Sequence, residues 1–292
     1  MNTTHRQQEP PQIKRGLKRK LIVSMILVGG LPLIIGLVMA FLQGTKEIRE
    51  VSGTSFKALA SETASKIDLI LSEELAYTSR ITTDVTVISV LNAHRERLAE
   101  YPGDALDALT TRKEQAWIDH DKNFIKQLTH NTLATVLKQY SDGSHDDPGH
   151  PIPIVTRSAT RGLFITDIAG RIVATINTNA SYAHAQELWW KKTFKNGVGQ
   201  PYIENVKFNE QIEAYTFTLS LPIMDSIRNQ VLGVLHRIYD AKEFFAPSIE
   251  SIRFGTTGHV MLIDGAGKVL SCPVLPTGTS LSDPNLIPLV TP

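Results

Sequence analysis

The sequence predicts an α+β protein with a helical front and an antiparallel sheet behind it. Residues 21–42 contain no charged side chain, and residues 45–98 space apolar side chains at a helical period. From residue 160 onward, short β-prone runs alternate with turn residues such as Asp and Gly. Strands that follow a block of helices, rather than alternating with helices, are typical of the α+β class.

Charge and cysteine content limit the classes of partner. The chain has 292 residues and a net charge of +1, and it is long enough for one large or two small domains. Residues 1–20 hold six basic residues and one acidic residue, which leaves 24 basic and 28 acidic residues, a formal charge of −4, in the remainder. This balance is not the footprint of a nucleic-acid-binding protein, and we expect no nucleic-acid partner. The one cysteine, Cys272, excludes an intrachain disulfide.

The uncharged segment 21–42 is interpreted as a transmembrane helix that follows a cytoplasmic basic tail, residues 1–20. Its length is about what a helix needs to cross a bilayer. A cleavable signal peptide is the alternative, but its apolar region is usually shorter and ends in small residues, whereas Ala40 is followed here by Phe41 and Leu42. The basic tail predicts a single-pass protein with its N-terminus in the cytoplasm and its bulk outside.

A long helix is predicted over residues 45–98, because Pro102-Gly103 is the first strong stop after the apolar segment. One face of it carries a narrow apolar stripe. The stripe consists of Phe56, Leu59, Ala60, Ile67, Ile70 and Leu71. Such a stripe suits packing against the same helix of a second chain, which would make a homodimer, or packing against its own domain. Both interpretations stay open, and each can apply to a different part of the helix.

A second helix is predicted over residues 112–140, and a loop rich in Gly and Pro follows it. The apolar side of the helix is formed by Leu133, Val136, Leu137 and Tyr140. The loop contains the metal-ligand residue types His145, Asp146, Asp147 and His150. A solvated loop is favoured over a metal site, because no strand or helix fixes the geometry that a metal demands. We expect no metal and no cofactor.

Residues 161–176 predict a β-hairpin, in which two β-prone runs flank Asp167-Ile168-Ala169-Gly170. Asp accepts backbone N–H groups and Gly adopts a positive φ, which is the chemistry of a tight turn. The pattern returns 97 residues later. Asp264, Ala266, Gly267 and Lys268 there repeat Asp167, Ala169, Gly170 and Arg171. The repeat predicts two similar modules in tandem.

Two further runs, residues 217–224 and 230–240, are predicted to pair as antiparallel strands. The second run is apolar on both faces, which is typical of a central strand covered by a helix. No nucleophile elbow, zinc-protease helix, phosphate-binding loop or dinucleotide fingerprint occurs in the sequence, and GTTG at 255–258 is interpreted as a turn. We therefore do not expect an enzyme.

In its order of apolar segment, long helix, hairpin, Trp189-Trp190 segment and paired strands, the chain resembles the double Cache sensor domains of bacterial histidine kinases, chemoreceptors and diguanylate cyclases. The most specific parts are that tryptophan segment, the LSLPI and VLGVL strands, and FGTTGHVMLIDGAGKVL. The likeness covers residues 45–285. It implies a protein of the bacterial inner membrane in which a long helix supports two PAS-like lobes outside the membrane. The membrane-distal lobe would span 45–245, and an incomplete second lobe would span 246–292.

In that family a second transmembrane helix leads to a cytoplasmic output domain. The chain ends at Pro292 without one. The expectation is therefore a fragment of a longer receptor or a truncated product.

The resemblance also bears on the ligand. Amino-acid-binding members carry a Tyr-x-x-x-x-Arg-x-Trp-Tyr pattern whose Arg binds the ligand carboxylate. The aligned residues here are Tyr182, Glu187, Trp189 and Trp190. An acid thus replaces the Arg, and like charges repel. The family's Asp that holds the ligand ammonium aligns with Ile238, with Asp240 two positions further on. The resemblance implies an amine or other cation, bound by Glu187 and by cation–π contacts.

The candidate ligand-binding residues are Tyr182, Glu187, Trp189, Trp190, Tyr202, Tyr215 and Asp240. Structural roles are the alternatives: Trp189 as a core residue and Glu187 as the surface partner of Lys191, four positions on. His236 is expected to be a satisfied core or edge histidine, and Asp167 to serve only the turn.

The function expected from these observations is a membrane-anchored extracytoplasmic small-molecule sensor. A membrane-tethered module that binds a partner protein, without a small-molecule ligand, is the alternative from another class. An extracytoplasmic hydrolase with an unrecognised site is a third. Ligand binding to the isolated protein discriminates the first from the others.

Overall fold

The computed structural model describes residues 15–101, 103–142, 158–225, 227–250, 252–254 and 258–281. The chain forms two compact units, Met1–Glu62 and Thr63–Pro292. The metal-ligand residue types between His145 and His150 lie outside the described residues, as does most of the GTTG turn. The domain boundaries expected from the sequence stay predictions.

The first unit is helical throughout its described part. Helix α1 spans Arg15–Met25, a π-helical turn spans Ile26–Gly30, and α2 spans Leu31–Thr83, which extends into the second unit. The π turn lies just before Pro32, whose ring lacks an N–H and crowds the carbonyl four residues back. Leu31 accordingly donates its N–H to the carbonyl oxygen of Ile26, five residues back.

The helical segment Lys18–Thr83 contains a stretch that is long and apolar enough to cross a membrane, and none of that stretch is buried. Leu33 and Leu37, for example, are 70% and 69% exposed. Length and composition are thus those predicted for residues 21–42, and the large apolar side chains there face outward.

The helix predicted over residues 45–98 is wrong in one respect, since it breaks at Asp84. A separate helix, α3, spans Val85–Ala99. The Asp84 backbone is extended, with φ −62° and ψ 127°, and its carboxylate accepts the N–H groups of Thr86 and Val87. An Asp at this position accepts N–H groups that the first turn of a new helix leaves unpaired. In sequence, an N-capping Asp looks the same as an Asp on the exposed surface of a continuous helix.

The apolar stripe of α2 divides by position. Ile67 is buried, and Ile70 and Leu71 pack against the core of the second unit. Phe56, by contrast, is 48% exposed. Packing on the helix's own domain therefore accounts for the later part of the stripe, and packing against a second chain stays a prediction for the earlier part.

The single helix predicted over residues 112–140 is also wrong. Three helices occupy the region: α4 spans Gly103–Ile118, α5 spans Lys122–Thr129 and α6 spans Thr132–Asp142. His120 adopts a left-handed φ of 53°, and the Asp121 carboxylate then caps α5 by accepting two backbone N–H groups. The apolar side predicted for the last turns is confirmed, because Leu133, Val136, Leu137 and Tyr140 are all buried.

The described part of the second unit is built around a five-stranded antiparallel sheet in the order β2-β1-β5-β4-β3. Its elements are β1 (Thr160–Asp167), β2 (Ile172–Thr175), helix α7 (Leu188–Phe194), β3 (Tyr202–Asn209), β4 (Ala214–Asp225) and β5 (Gln230–Asp240). The predicted pairing of residues 217–224 with 230–240 is confirmed, and so is the central position of β5. These features confirm the α+β class.

Two hydrophobic clusters cover the faces of this sheet. One joins α2, α3 and α6 to the face that carries Leu235 and Tyr239. The other joins Phe164 and Ile238 of the sheet to side chains from outside it, which are Trp117, Tyr182, Trp189 and Trp190. Side chains alternate along a strand, which explains why β5, buried on both faces, is apolar in sequence from Val231 to Leu235.

The hairpin turn recurs with the same geometry at the predicted offset, while two similar modules in tandem stay a prediction. Asp167 accepts the N–H groups of Ala169 and Arg171, and Asp264 accepts those of Ala266 and Lys268. Gly170 and Gly267 have φ of 74° and 75°. The same 97-residue offset relates the bond from Ile172 to Tyr182 to the bond from Val269 to Thr279. Helix α8 (Ala241–Ile249) precedes two small two-stranded sheets, one formed by β6 (Arg253–Phe254) and β7 (Gly258–His259) and the other by β8 (Leu262–Ile263) and β9 (Val269–Ser271), which flank the second turn.

Candidate ligand-binding site

Strand register brings a group of rings to one face of the sheet. Phe164 of β1 lies opposite His236 of β5, and Thr218 of β4 lies opposite Ile238. The segment after β2 then places His184, Glu187 and Trp189 over this face. These groups line a cavity of about 80 Å³, which we call the ring cavity. Its lining is completed by Asn179, Ala180, Ser181, Glu204, Lys207, Asn209 and Gln211.

Four rings form the buried wall of the ring cavity. The Trp189 ring stacks on His236 with centroids 3.8 Å apart, and His184 stacks on Phe164 at 4.9 Å. Phe164 also contacts His236 at 5.0 Å, and His184 contacts Trp189 at 5.1 Å. The result is a flat-sided aromatic wall, a surface that attracts cations as well as apolar groups.

Glu187 lies at the open side of this wall, with 45% of its side chain exposed. Its Oε1 is 2.7 Å from Nδ1 of His184, and its Oε2 accepts the Nε1–H of Trp189 at 2.6 Å. Burial acts to raise the pKa of Glu187, but the hydrogen bond from His184, the charge of His184 and the bond from Trp189 together lower it. The carboxylate is therefore ionised and fixed in place. Lys191, the alternative partner, donates to Gln186 instead.

Two buried polar atoms in the lining have no hydrogen-bond partner among the described residues: His184 Nε2 and Thr218 Oγ1. Nδ1 of His184 faces the Glu187 carboxylate, and in the tautomer that donates from Nδ1 to this carboxylate, Nε2 is left as an acceptor. His184 is only 3% exposed, so water does not readily satisfy it. A buried acceptor without a donor is costly, and a bound donor at this position would remove the cost.

His236 differs from His184 in being satisfied. Its Nδ1 lies 2.9 Å from the Ser220 hydroxyl, within the sheet. Burial, followed by the charges of His184 and Lys207, lowers the pKa of His236 well below the ordinary histidine value. The ring is therefore neutral and contributes a wall. This is the satisfied core histidine that the sequence predicts, although it also lines the cavity.

With its histidines counted as neutral, the lining carries a net negative formal charge. Lys207 pairs with Glu204 at 2.8 Å, which leaves the ionised Glu187 as the excess charge. The electrostatic preference of the ring cavity is thus for a cation or a neutral donor, not for an anion.

The structure brings only some of the predicted ligand residues together. Glu187 and Trp189 line the ring cavity. Trp190 is buried beside them and donates its Nε1–H to the Thr166 hydroxyl. Tyr202 packs at the edge of the same aromatic cluster, outside the cavity lining. Tyr182 lines a different cavity, beside Asp167 and Arg171.

Tyr215 and Asp240 lie together elsewhere, in a groove of about 500 Å³ between the first sheet and residues 272–277. Asp240 caps α8 by accepting the N–H of Glu243, and it pairs with Arg161 at 3.1 Å. Ile238, which the resemblance aligns with the family's ammonium-binding Asp, does line the ring cavity. The ligand roles of Tyr215 and Asp240 stay predictions.

Phe164, His184 and Thr218 are cavity residues that the sequence analysis did not single out. Phe164 and Thr218 lie within β-prone runs, and only the register shows which face they occupy. His184 could have been found from its spacing, because it precedes the candidate Glu187 by three residues, and the structure shows the two side chains in contact. Asp167 was expected to serve only the turn, but it also pairs with the buried Arg171 at 2.6 Å. No metal-binding group of three His, Cys, Asp or Glu side chains occurs within the described ranges.

No family model matches this chain, and no curated protein matches it by sequence. Solved structures do. The ligand-binding domain of the Pseudomonas aeruginosa PAO1 amino-acid chemoreceptor PctC, in complex with GABA, is 16% identical, with 59% of this chain and 74% of that chain covered and a TM-score of 0.35. The extracellular domain of the putative histidine kinase rpHK1S-Z16 is 16% identical, with 62% and 71% covered and a TM-score of 0.39. The sensor domain of the Vibrio cholerae histidine kinase DctB is 13% identical, with 70% and 67% covered and a TM-score of 0.33. These proteins are ligand-binding or sensor domains of the receptor classes that the sequence resemblance names.

Proposed function

We propose that the chain is a membrane-anchored small-molecule sensor that binds an amine in the ring cavity. The observation that carries the proposal is the pair of buried polar atoms without partners, His184 Nε2 and Thr218 Oγ1, in a wall of aromatic rings. An ammonium group donates hydrogen bonds in several directions. It complements the free acceptor of His184, the hydroxyl of Thr218 and the ionised Glu187 at once.

The carboxylate of Glu187 keeps acceptor capacity for a ligand. Each of its oxygens accepts one bond, from His184 or from Trp189, and a carboxylate oxygen has room for a second. The faces of Trp189 and Phe164 add cation–π attraction, worth roughly 0.5–2 kcal/mol at partly desolvated sites. A small amine therefore gains from charge, hydrogen bonds and ring contacts together.

Strand β5 connects the ring cavity to the long helix α2, because its two faces contact one each. His236 and Ile238 line the ring cavity, while Arg237 and Tyr239 on the opposite face of the strand contact α2. Glu74 of α2 accepts the Tyr239 hydroxyl at 2.6 Å and pairs with Arg237 Nη1 at 3.2 Å. In the proposal, a ligand that favours one position of β5 biases the position of α2, by no more than its differential affinity for the two states.

The proposal includes a single-pass topology with the N-terminus in the cytoplasm and a homodimer through the early part of α2. The basic residues before the apolar stretch support the orientation. The exposed Phe56 within the apolar stripe supports the dimer. Catalysis is not part of the proposal, because no catalytic motif accompanies the cavity.

The test is a thermal-shift screen of the detergent-solubilised full chain against ethanolamine, putrescine, tetramethylammonium, acetate and succinate. A ligand that binds the native state raises Tm by mass action. We expect one or more of the amines to raise Tm. Any Tm shift with a carboxylate should be the same in the wild type and in Glu187→Gln, because carboxylates should not bind in this cavity. Glu187→Gln should abolish the amine shift.

Glu243→Gln is the matched control, because it removes an exposed carboxylate from the first turn of α8, outside the ring cavity. It should leave the amine shift unchanged. An amine shift that survives Glu187→Gln contradicts the proposed site. A folded protein that responds to no amine contradicts the proposed ligand class and favours the module that binds a partner protein.

A further inference from the structure

A second cavity, of about 270 Å³, lies beside the first hairpin and has a different chemistry. We call it the cationic cavity. Helix α3 contributes His94 and Arg97, α4 contributes Lys113, and the β1–β2 turn contributes Asp167 and Arg171. Its remaining wall is formed by Val90, Leu98, Leu128, Asn131, Thr132, Leu133, Ile172, Val173 and Tyr182.

Positive charge exceeds negative charge in this lining. Arg97, Lys113 and Arg171 are basic, and Asp167 is the one acid among the lining residues. That acid is already engaged: its Oδ2 accepts from Arg171 at 2.9 and 2.6 Å, and His94 Nε2 lies 3.3 Å away. The direct polar contacts of Asp167 Oδ2 are therefore made with Arg171 and His94, and not with Lys113.

Lys113, like Arg97, is a cation of this lining that forms no ion pair among the described residues. Within the described ranges, its ammonium has no hydrogen bond or ion pair. Burial, and then the charge of Arg171, lowers the pKa of Lys113, and the charge of Asp167 offsets part of this effect by raising it. The Tyr182 hydroxyl in the same lining likewise has no hydrogen-bond partner among the described residues. Burial raises its pKa, so it remains a donor.

We infer that the cationic cavity is a binding site for a small oxyanion, a carboxylate or a phosphate, distinct from the proposed amine site. Lys113 supplies the free charge, and the Tyr182 hydroxyl supplies a neutral donor. The Asp167–Arg171 pair holds the hairpin wall in place. Apolar side chains such as Leu133 and Ile172 exclude water and would accommodate a short carbon chain. A bound anion would join α3 and α4 to the hairpin, since each contributes to the lining.

The site is tested by thermal-shift titration of the full chain with sodium phosphate and with sodium succinate, against sodium chloride at equal ionic strength. We expect one of the two anions to raise Tm saturably beyond chloride, and the arm that does so identifies phosphate or carboxylate as the ligand chemistry. Lys113→Met should weaken the apparent Kd about tenfold or more, since a charge-assisted bond is lost. Arg112→Met removes an exposed positive charge from the neighbouring position of α4 and should change the Kd less than about twofold, as expected for a screened surface charge.

Three further comparisons keep the result interpretable. In chloride alone, Lys113→Met should melt no lower than the wild type, because its ammonium has no partner to lose. Tyr182→Phe removes only a hydroxyl and should weaken anion binding while it leaves the amine shift intact. Glu187→Gln should leave the anion shift intact, so failure of one site is distinguishable from failure of the other. Neither anion acting beyond chloride, or an anion shift equal in Lys113→Met and Arg112→Met, would overturn the inference.

Discussion

Gly170 shows at the scale of one residue how closely the first hairpin is constrained. Its φ is 74°, a backbone conformation that residues with a side chain rarely adopt, and a Cβ placed there would lie 2.5 Å from the backbone nitrogen of Ala185. Gly197 has φ 87°, but a Cβ placed there would meet no atom of a non-adjacent residue within 4 Å. The two glycines therefore separate backbone strain from steric collision.

We expect Gly197→Ala to lower the free energy of unfolding by about 1–2 kcal/mol, the cost of a left-handed residue with a side chain. Gly170→Ala should cost about 1–3 kcal/mol more, because backbone must also move. Urea unfolding of the full chain, followed by tryptophan fluorescence, measures both. Equal losses in the two variants would show that the Ala185 contact yields freely.

His236 makes stability depend on pH. Burial lowers its pKa well below the ordinary value of about 6.5, so the unfolded chain binds a proton that the folded chain does not. The stability that this group contributes is complete above pH 6.5 and is lost as the pH falls. The slope is at most about 1.4 kcal/mol per pH unit for one proton.

The wild type should therefore lose stability from pH 7.5 toward pH 5 more steeply than His236→Gln, in which the titrating ring is absent. Denaturant midpoints across this range give the comparison. Parallel slopes for the two proteins would mean that the folded protein admits a proton on His236.

At the scale of elements, a buried polar cluster fastens α2 to the sheet. Glu74 is 3% exposed and Arg237 is fully buried, and the Tyr239 and Thr78 hydroxyls both donate to Glu74. Two Arg237 nitrogens also donate to the Thr160 hydroxyl. A buried charge pair of this kind is costly to break by removing one partner, whereas replacement of both partners by apolar groups is often neutral.

Glu74→Gln should accordingly lower the free energy of unfolding by about 3–5 kcal/mol, since it leaves the buried Arg237 charge without its countercharge. Glu73→Gln, an exposed neighbour on the same helix, should stay within about 0.5 kcal/mol of the wild type. The double variant Glu74→Leu with Arg237→Met should recover much of the loss. Urea unfolding measures all three, and a Glu74→Gln loss no larger than that of Glu73→Gln would contradict the account.

Elements were predictable from the sequence where their causes are local. The Asp167 turn and its repeat depend on four consecutive residues, and the central position of β5 depends on apolar residues along one strand. The break at Asp84 was missed because an aspartate in an amphipathic run looks like a surface residue until its carboxylate is seen to accept N–H groups. The ring cavity was only partly predictable, since the pairing of Phe164 with His236 depends on register between strands about 70 residues apart.

At the scale of the whole molecule, the account requires the sheet-bearing unit to lie on the extracytoplasmic side of the membrane. The uncharged segment 21–42 and the basic residues before it predict this orientation. A reporter that is active only outside the cytoplasm, fused after residue 44, should be active in cells. A cytoplasmic reporter fused at the same position should be inactive, and the reverse pattern would contradict the topology.

The central claim of the account, that the ring cavity binds an amine, can be tested in a single experiment. That experiment is a crystal structure of the full chain grown with the amine that gives the largest thermal shift. The account predicts the ligand nitrogen within hydrogen-bonding distance of Glu187 and His184 Nε2, against the faces of Trp189 and Phe164. An amine bound in the groove beside Tyr215 and Asp240, with the ring cavity empty, would contradict it.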